Sequence, residues 1–269
     1  QSCSRGFSMR IATWNINSVR LRIANVLRFI KEYYIDVLCL QETKTQDQFF
    51  PLEDFQKIGM QYISLRGEKS YNGVAIISKS PFLKETYSNF CGLKDTRHIS
   101  VTFKNKVSLH NFYVPAGGDI PDTKINAKFD HKIRFINEME RFFKKSKNKK
   151  QVLVGDLNIA PYENDVWSHK QLLNVVSHTP IETSSLKNFV NSCNWIDIMR
   201  KIVPYDEKLY SWWSYRNRDW KKSNRGRRLD HIWVSKDLEF KVKKGLVCKE
   251  IRDWEKPSDH VPIIIEIDL

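Results

Sequence analysis

Eight short runs rich in Val, Ile and aromatic residues recur along this chain, with amphipathic helical stretches between them. The runs are Arg10 to Ile16, Asp36 to Glu42, Gly73 to Ser78, Ile99 to Phe103, Val107 to Val114, Gln151 to Asn158, Leu229 to Val234 and Val261 to Ile267, and they read as strands. Val19, Ile23, Val26, Leu27 and Ile30 recur at helical spacing behind Ser18, the expected N-cap, and Ile133, Ile136, Met139, Phe142 and Phe143 repeat that spacing later. Only Lys104-Asn105-Lys106 joins the fourth run to the fifth, so those two form an antiparallel hairpin rather than neighbours in a purely parallel sheet. Packed mixed sheets with helices outside are expected. The 269 residues show no internal repeat and no Pro/Gly/Ser-rich linker, which makes a single domain over 9–269 the simplest partition. Residues 1–8 read as a remnant or short N-terminal extension ahead of Met9.

Charge and cysteine usage narrow the function. Lys plus Arg number 45 against 31 Asp plus Glu, a net charge of +14, which suits an anionic partner because cations that neutralise phosphates release condensed counterions. Apolar runs such as Val74 to Ile77 and Ile263 to Ile265 fall far short of the roughly 18 residues of a membrane span. The five cysteines, Cys3, Cys39, Cys91, Cys193 and Cys248, are scattered, with no CxxC pair and no Cys/His cluster of zinc spacing. Neither a disulfide scaffold nor structural zinc is expected, Cys39 reads as a small core residue, and a reducing cytoplasmic setting is the default.

Several strand runs end in polar residues that packing alone does not need. Asn15 and Asn17 close the first, Gln41-Glu42-Thr43-Lys44 the second and Gly155-Asp156-Leu157-Asn158 the sixth; Asp230 opens the seventh and Ser258-Asp259-His260 precedes the last. A single Asx at such a place ordinarily caps its own turn. Five converging on one place make a metal and phosphate site. A hard cation takes carboxylate oxygens and keeps several waters, so one or two carboxylates suffice, and Glu42 and Asp259 are the best candidates. Asp156 and Asn158, two apart on one strand face, suit a base and its partner for an attacking water. Tyr113 and His260 can offset transition-state charge, and Asp230 can fix the His260 tautomer.

Seven strings in order, Thr13 to Arg20 (TWNINSVR), Leu40 to Lys44 (LQETK), Gly73 to Lys79 (GVAIISK), Tyr113 to Pro115 (YVP), Gly155 to Pro161 (GDLNIAP), Arg228 to Ile232 (RLDHI) and Ser258 to Pro262 (SDHVP), resemble the motif set of the exonuclease III family of apurinic/apyrimidinic endonucleases. The resemblance spans Met9 to Leu269. It implies an α/β fold, the DNase I-like four-layer α/β sandwich of two packed mixed β-sheets flanked by helices. It further implies metal residues at Asn15, Glu42 and Asp259, a water-activating pair at Asp156 and Asn158, a catalytic tyrosine at Tyr113 and an Asp/His pair at Asp230 and His260. Mg2+ is the implied cofactor, with Mn2+ able to substitute. The implied reaction is hydrolysis of the phosphodiester 5′ to abasic sites in DNA, with 3′-end trimming beside it. The sequence departs from the pattern at Ala116, where many relatives carry Asn, at Asn17, where some carry an acid, and at Arg227, where Trp or Leu is common.

The segment Tyr210 to Arg228 interleaves Trp212, Trp213, Tyr215 and Trp220 with basic side chains. Aromatics suit a pocket for an extrahelical sugar, and Arg216, Arg218, Lys221, Lys222 and Arg225 suit flanking phosphates, while the family resemblance implies that Arg97 and Arg227 lie near the active-site loops. The partner expected is double-stranded DNA with abasic sites or blocked 3′ ends, no membrane, and a monomeric, bacterial-type protein held at the nucleoid by DNA. A superfamily phosphoesterase acting on lipid, inositol phosphate or RNA is the alternative. The LQETK and GDLNIAP strings and the basic aromatic segment weigh against it.

Overall fold

The computed structural model describes residues 8–146 and 148–269. Residues 1–7, with Cys3, and Lys147 of the basic run after the second predicted helix lie outside them. The first sheet holds β1 (Ser8–Asn15), β2 (Val37–Gln41), β3 (Tyr62–Arg66) and β4 (Val74–Ser78), joined by the late strands β13 (Val242–Val247) and β14 (Ile263–Asp268), in the order β13-β14-β1-β2-β4-β3. The second holds β5 (Phe82–Thr86), β6 (His98–Phe103), β7 (Ser108–Tyr113), β8 (Gln151–Asp156), β9 (Trp195–Asp197) and β12 (Asp230–Ser235), in the order β5-β6-β7-β8-β12-β9. A two-stranded ribbon of β10 (Trp212–Trp213) and β11 (Gly226–Arg227) stands apart. Both sheets are mixed, since β1 and β2, and β7 and β8, run parallel while their other pairings are antiparallel. The β6–β7 hairpin is the one that the short Lys-Asn-Lys connection demands. Ser8 pairs with Asp268 within β1, so the strand starts one residue inside the segment read as an extension.

Alternation along the strands builds the layers. Ile11, Val37, Cys39, Val74 and Ile76 of the first sheet meet Val101, Leu109, Val152, Val154, Ile232 and Val234 of the second in a dry inter-sheet core. The intervening residues face outward: Ala12, Trp14, Leu38 and Leu40 receive Val26, Phe29 and Ile30 of α1 (Ile23–Glu32), with α2 (Leu52–Gln56) adding Phe55. Phe112, Leu153 and Trp233 receive Phe135, Ile136, Met139 and Phe143 of α3 (Ala127–Lys144), then, beyond the short α4 (His169–Leu172), Leu186 and Phe189 of α5 (Pro180–Ser192). Helix, sheet, sheet and helix make four layers, the expected α/β sandwich. Two further short helices, α6 (Ile198–Ile202) and α7 (Trp220–Ser223), lie against β13 and β12 and beside the ribbon respectively.

Ser18 is not the cap of α1. Residues 19–22 form turns, the helix starts after Arg22 with no side-chain cap, and the Ser18 hydroxyl accepts only from the Leu21 N–H. Asn126 does cap α3, accepting from the Lys128 N–H.

Two polar side chains tie the sheets together just below one end of the sandwich. Asn111 of β7 donates its amide to the Leu40 and Ala75 carbonyls, both at 2.9 Å, and its Oδ1 accepts from Gln41 Nε2 at 2.8 Å. Directional polar contacts of this kind inside a dry core fix one relative placement of the sheets, where apolar contacts alone would tolerate sliding. Gly155 sets the second sheet's spacing: its φ is +146°, and a Cβ there would lie 1.9 Å from the Phe112 carbonyl oxygen of the neighbouring strand.

Candidate active site

Register gathers the site. Asp156 of β8 lies beside Tyr113 of parallel β7 on one flank and Asp230 of antiparallel β12 on the other. Side-by-side residues share a sheet face, so phenol and both carboxylates stand in one line at the open end of the inter-sheet space. From the first sheet, Asn15 ends β1 beside Gln41, the last residue of β2, and Glu42 follows. The chain leaves these strands through left-handed backbone at Asn17, Glu42 and Asn158, with φ of +48°, +50° and +54°. Non-glycine residues pay for that conformation, and such positions concentrate where a side chain must be aimed.

Hydrogen bonds lock the group. Asn15, fully buried, donates Nδ2 to Glu42 Oε2 at 2.6 Å and to Asp156 Oδ2 at 2.8 Å, while its Oδ1 accepts the Asn17 N–H at 3.1 Å. With its amide facing the acids, Asn15 clamps the two carboxylates together, and its oxygen, which accepts one backbone N–H, keeps a second lone pair. The Asn158 N–H donates to Asp156 Oδ1 at 3.0 Å, and Asn158 Nδ2 donates to the Val114 carbonyl. His260 Nδ1 lies 2.8 Å from Asp230 Oδ2, and its Nε2 points to Asp156 Oδ2 at 3.6 Å. Ser211 holds Asp230 from behind, donating to Oδ2 at 2.7 Å while its oxygen accepts the Leu229 and Asp230 N–H groups. Trp212 Nε1 donates to Asp259 Oδ2 at 3.0 Å.

Burial and crowded charge set the acid–base character. Burial, reinforced by Asp230 and Glu42 against the opposing pull of His260 and the Asn15 amide, pushes the Asp156 carboxyl up to about 7. Burial alone would lower His260, but Asp230 and Asp156 outweigh it and hold the imidazole well above its ordinary range. Burial, then the Glu42 and Asp156 charges, keeps the Tyr113 phenol protonated, with Arg97 partly offsetting them. Ligand atoms of Glu42, Asp156 and His260 lie within 4.8 Å of one another. Acids outnumber cations in this group, and the donor set of hard oxygens fits a divalent cation of the magnesium type. Asp259 lines the same cavity without joining that close trio.

A cavity of about 680 Å³ opens over these residues. Glu42, Tyr113, Asp156, Asn158, Asp259 and His260 floor one end; Trp167, Val175, Val176, Trp212 and Leu229 form apolar walls; Arg216, Arg225 and Arg227 bring positive charge. Of the basic and aromatic residues expected to bind DNA, Trp212, Arg216, Arg225 and Arg227 thus reach the cavity. Arg218 and Lys222 line a separate shallow depression, and Lys221 pairs with Asp253 on the surface. Arg97 stacks on the Tyr113 ring at 5.0 Å and pairs with Asp95 at 2.6 Å, so it braces the tyrosine from beside the cavity. Trp213 and Trp220 pack together in the small core under the ribbon.

Ser211, Ser177, Trp167 and the pair Lys132 and Glu182 escape a reading of the sequence. Lys132 of α3 is completely buried; its ammonium donates to the Ala116 carbonyl at 3.2 Å, to the Asn158 carbonyl at 2.7 Å and to Glu182. Glu182 in turn accepts the Ser177 and Thr179 N–H groups. One ion pair therefore anchors three cavity loops. Its only signal in the sequence is that Lys132 falls on the apolar face of α3, in step with Ile136, Met139 and Phe143, where Lys128 and Lys144 of the same helix are exposed.

Two mixed sheets stacked face to face, with acids, an amide, a phenol and an imidazole at the open end, define a phosphoesterase class of fold and site. The chain belongs to the Endonuclease/Exonuclease/phosphatase family, whose profile matches residues 12–260, and it is a phosphodiesterase of the same type as its relatives. It is 29% identical to exodeoxyribonuclease III of Haemophilus influenzae over 96% of this chain and 99% of that one. An AP endonuclease from Archaeoglobus fulgidus superposes with a TM-score of 0.89 at 30% identity, covering 97% of this chain and all of the other. A 3′ phosphatase from Neisseria, solved bound to a product DNA hairpin, superposes at 0.88 with 29% identity over 97% of this chain and all of the other. Among the described residues no helix is long and apolar enough to cross a membrane.

Proposed function

We propose that this chain is a divalent-cation-dependent DNA repair nuclease that hydrolyses the phosphodiester 5′ to an abasic site and also trims blocked 3′ ends. The observation that carries the reading is the line of Tyr113, Asp156 and Asp230 with His260, opening onto a cavity that is apolar-walled and arginine-lined. Relatives of nearly full-length match are named for these activities on DNA, which supports the same substrate class here.

Each residue has a role that follows from its surroundings. Asp156, a carboxyl pushed up to about 7, has the proton affinity a base needs near neutral pH, and the Asn158 N–H fixes the orientation of its oxygens. It takes the proton of the attacking water. His260, kept cationic by Asp230 and Asp156, faces negative charge that grows on the phosphoryl oxygens. Tyr113, held protonated, donates to the phosphate. Glu42, with Asp259 across the same floor, would hold Mg2+, which when bound supplies positive charge to the phosphoryl group. Trp212 and Leu229 give the neutral sugar an apolar wall. A monomer in the bacterial cytoplasm, resident on DNA, completes the reading.

The test is a duplex carrying one tetrahydrofuran abasic analogue, incubated with Mg2+ or EDTA and sized on a denaturing gel. The analogue cannot undergo β-elimination, so a magnesium-dependent cut on its 5′ side is the expected result. A folded protein in Mg2+ that leaves the duplex intact overturns the proposal.

A further inference from the structure

Of the three arginines that line the cavity, Arg227 is half-buried where Arg216 and Arg225 are exposed. It sits inside the cavity, its guanidinium 5.1 Å from the Trp212 ring centroid, with Nη1 donating to the Val176 carbonyl at 3.3 Å and to Ser177 Oγ at 3.0 Å. Its Nε is buried and has no partner. The arginines that do pair with carboxylates are Arg10, Arg28, Arg97, Arg134, Arg200 and Arg228. Among the described residues neither Arg227 nor the exposed Arg216 and Arg225 makes such a pair, and the buried acid behind the Arg227 loop, Glu182, is engaged by Lys132. A guanidinium half-buried against a Val, Leu and Trp wall, with Nη1 bonded to Val176 and Ser177, Nε sealed and Nη2 without a partner among the described residues, is costly unless an anion meets Nη2.

From this geometry we infer that Arg227 forms an anion subsite on the far side of the scissile phosphate, and that it selects 3′ ends carrying a second negative group, as in a 3′-phosphoglycolate. The inference rests on the nuclease reading and narrows its substrate. The cavity is polarised: the acids lie at its floor, and the Arg227 guanidinium lies on its wall against Trp212, where it would meet what hangs beyond the phosphoryl group. In an internal abasic site that group is an uncharged sugar; in a phosphoglycolate end it is a carboxylate, which Nη2 can meet with a charge-assisted hydrogen bond. The water oxygen bonds to phosphorus and the bond from phosphorus to the 3′-oxygen breaks. One water proton passes to Asp156 and the 3′-oxygen gains one, leaving a 3′-hydroxyl and free phosphoglycolate. Ser177 and Val176 hold the guanidinium in place through the loop that Glu182 anchors.

The experiment compares wild type, Arg227→Leu and Arg227→Lys on two oligonucleotides in Mg2+, one ending in 3′-phosphoglycolate and one duplex with an internal tetrahydrofuran. Anisotropy of the labelled phosphoglycolate oligonucleotide in EDTA supplies a binding readout independent of turnover. A charge-assisted contact predicts that Arg227→Leu loses about 10- to 100-fold more kcat/KM on the phosphoglycolate end than on the tetrahydrofuran duplex, with weakened binding of the former. Arg227→Lys, which keeps the charge without the guanidinium, falls between. Equal losses on both substrates for both variants overturn the subsite and return Arg227 to the general DNA-backbone contacts. A wild type that processes neither oligonucleotide overturns the nuclease reading itself, so the two failures are distinct.

Discussion

Two buried clusters of ionised side chains centre two residues apart along the chain, on Arg228 just before β12 and on Asp230 at its start, and they are built on opposite plans. Around Arg228 the charges balance: its guanidinium forks onto Asp165 at 2.8 and 2.9 Å and onto Asp197 at 2.9 Å, and Arg200 adds contacts to Asp165 at 2.7 and 3.1 Å. Arg228 is held firmly charged and Asp197 below its usual range. Around Asp230 the charges do not balance, because the three acids Glu42, Asp156 and Asp230 have one buried imidazole, His260, and one partly exposed ammonium, Lys44 at 3.7 Å from Glu42, and Asp230 Oδ1 is buried without a partner. A balanced, fully bonded cluster maintains the fold; one short of positive charge at a cavity mouth is prepared for a ligand that brings it.

The contrast predicts different failures. Asp156→Asn should keep the fold, by far-ultraviolet circular dichroism, and lose about 10²- to 10⁴-fold in turnover on the tetrahydrofuran duplex; near-normal turnover would remove Asp156 from the role of base. Arg228→Met should lose about 3–5 kcal/mol in urea unfolding, because Asp165 and Asp197 stay buried without their main cation. A loss below about 1 kcal/mol would erase the distinction between the clusters. Lys221→Ala, at an exposed pair with Asp253, should move stability by less than about 0.5 kcal/mol.

A third buried polar group sharpens the point through pH. The Ser88 N–H donates to His98 Nδ1 at 2.9 Å, so His98 Nε2 carries its proton toward His110 Nδ1 at 3.0 Å, and His110 Nε2 donates to Gln151 at 3.0 Å. Burial lowers His110 to about 4 and His98 well below its ordinary 6.5, with the charges of His110 and Arg66 adding to the effect on His98. The unfolded chain therefore binds protons that the native state refuses between about 6.5 and 4, and stability should fall as pH falls through that window. The slope is up to about 1.4 kcal/mol per pH unit for each histidine. His110→Gln should flatten it, measured as urea midpoints at pH 4.5, 5.5 and 6.5; an unchanged slope would show that this chain of imidazoles is not what acid attacks.

What the sequence discloses and conceals has a physical pattern. The eight expected strands are β1, β2, β4 and β14 of the first sheet and β6, β7, β8 and β12 of the second, all of them interior. The unforeseen β3, β13, β5 and β9 are the four edges. Interior strands bury both faces and must be apolar, whereas edges such as Phe82–Thr86 and Val242–Val247 carry lysines and glutamate that discourage pairing with another chain. At the site, acids and amides ending apolar runs were legible because a strand end is no place for so many. Ser211, Ser177 and the Lys132–Glu182 pair were not, since each acts through contacts made only when distant segments meet. Asn15 was legible as a site residue and not as a clamp, because only the Asn17 N–H reveals which way its amide points.

The central claim is that the acid cluster lacks a cation which a divalent ion supplies. The most direct measurement is the thermal midpoint of wild type and Glu42→Gln, side by side, in EDTA and across a magnesium titration. The wild-type midpoint should climb with magnesium, by the equivalent of about 2.7 kcal/mol at a concentration a hundredfold above the dissociation constant, and the climb should be much smaller in Glu42→Gln. No magnesium-dependent rise in wild type, or the same rise in both proteins, would contradict it.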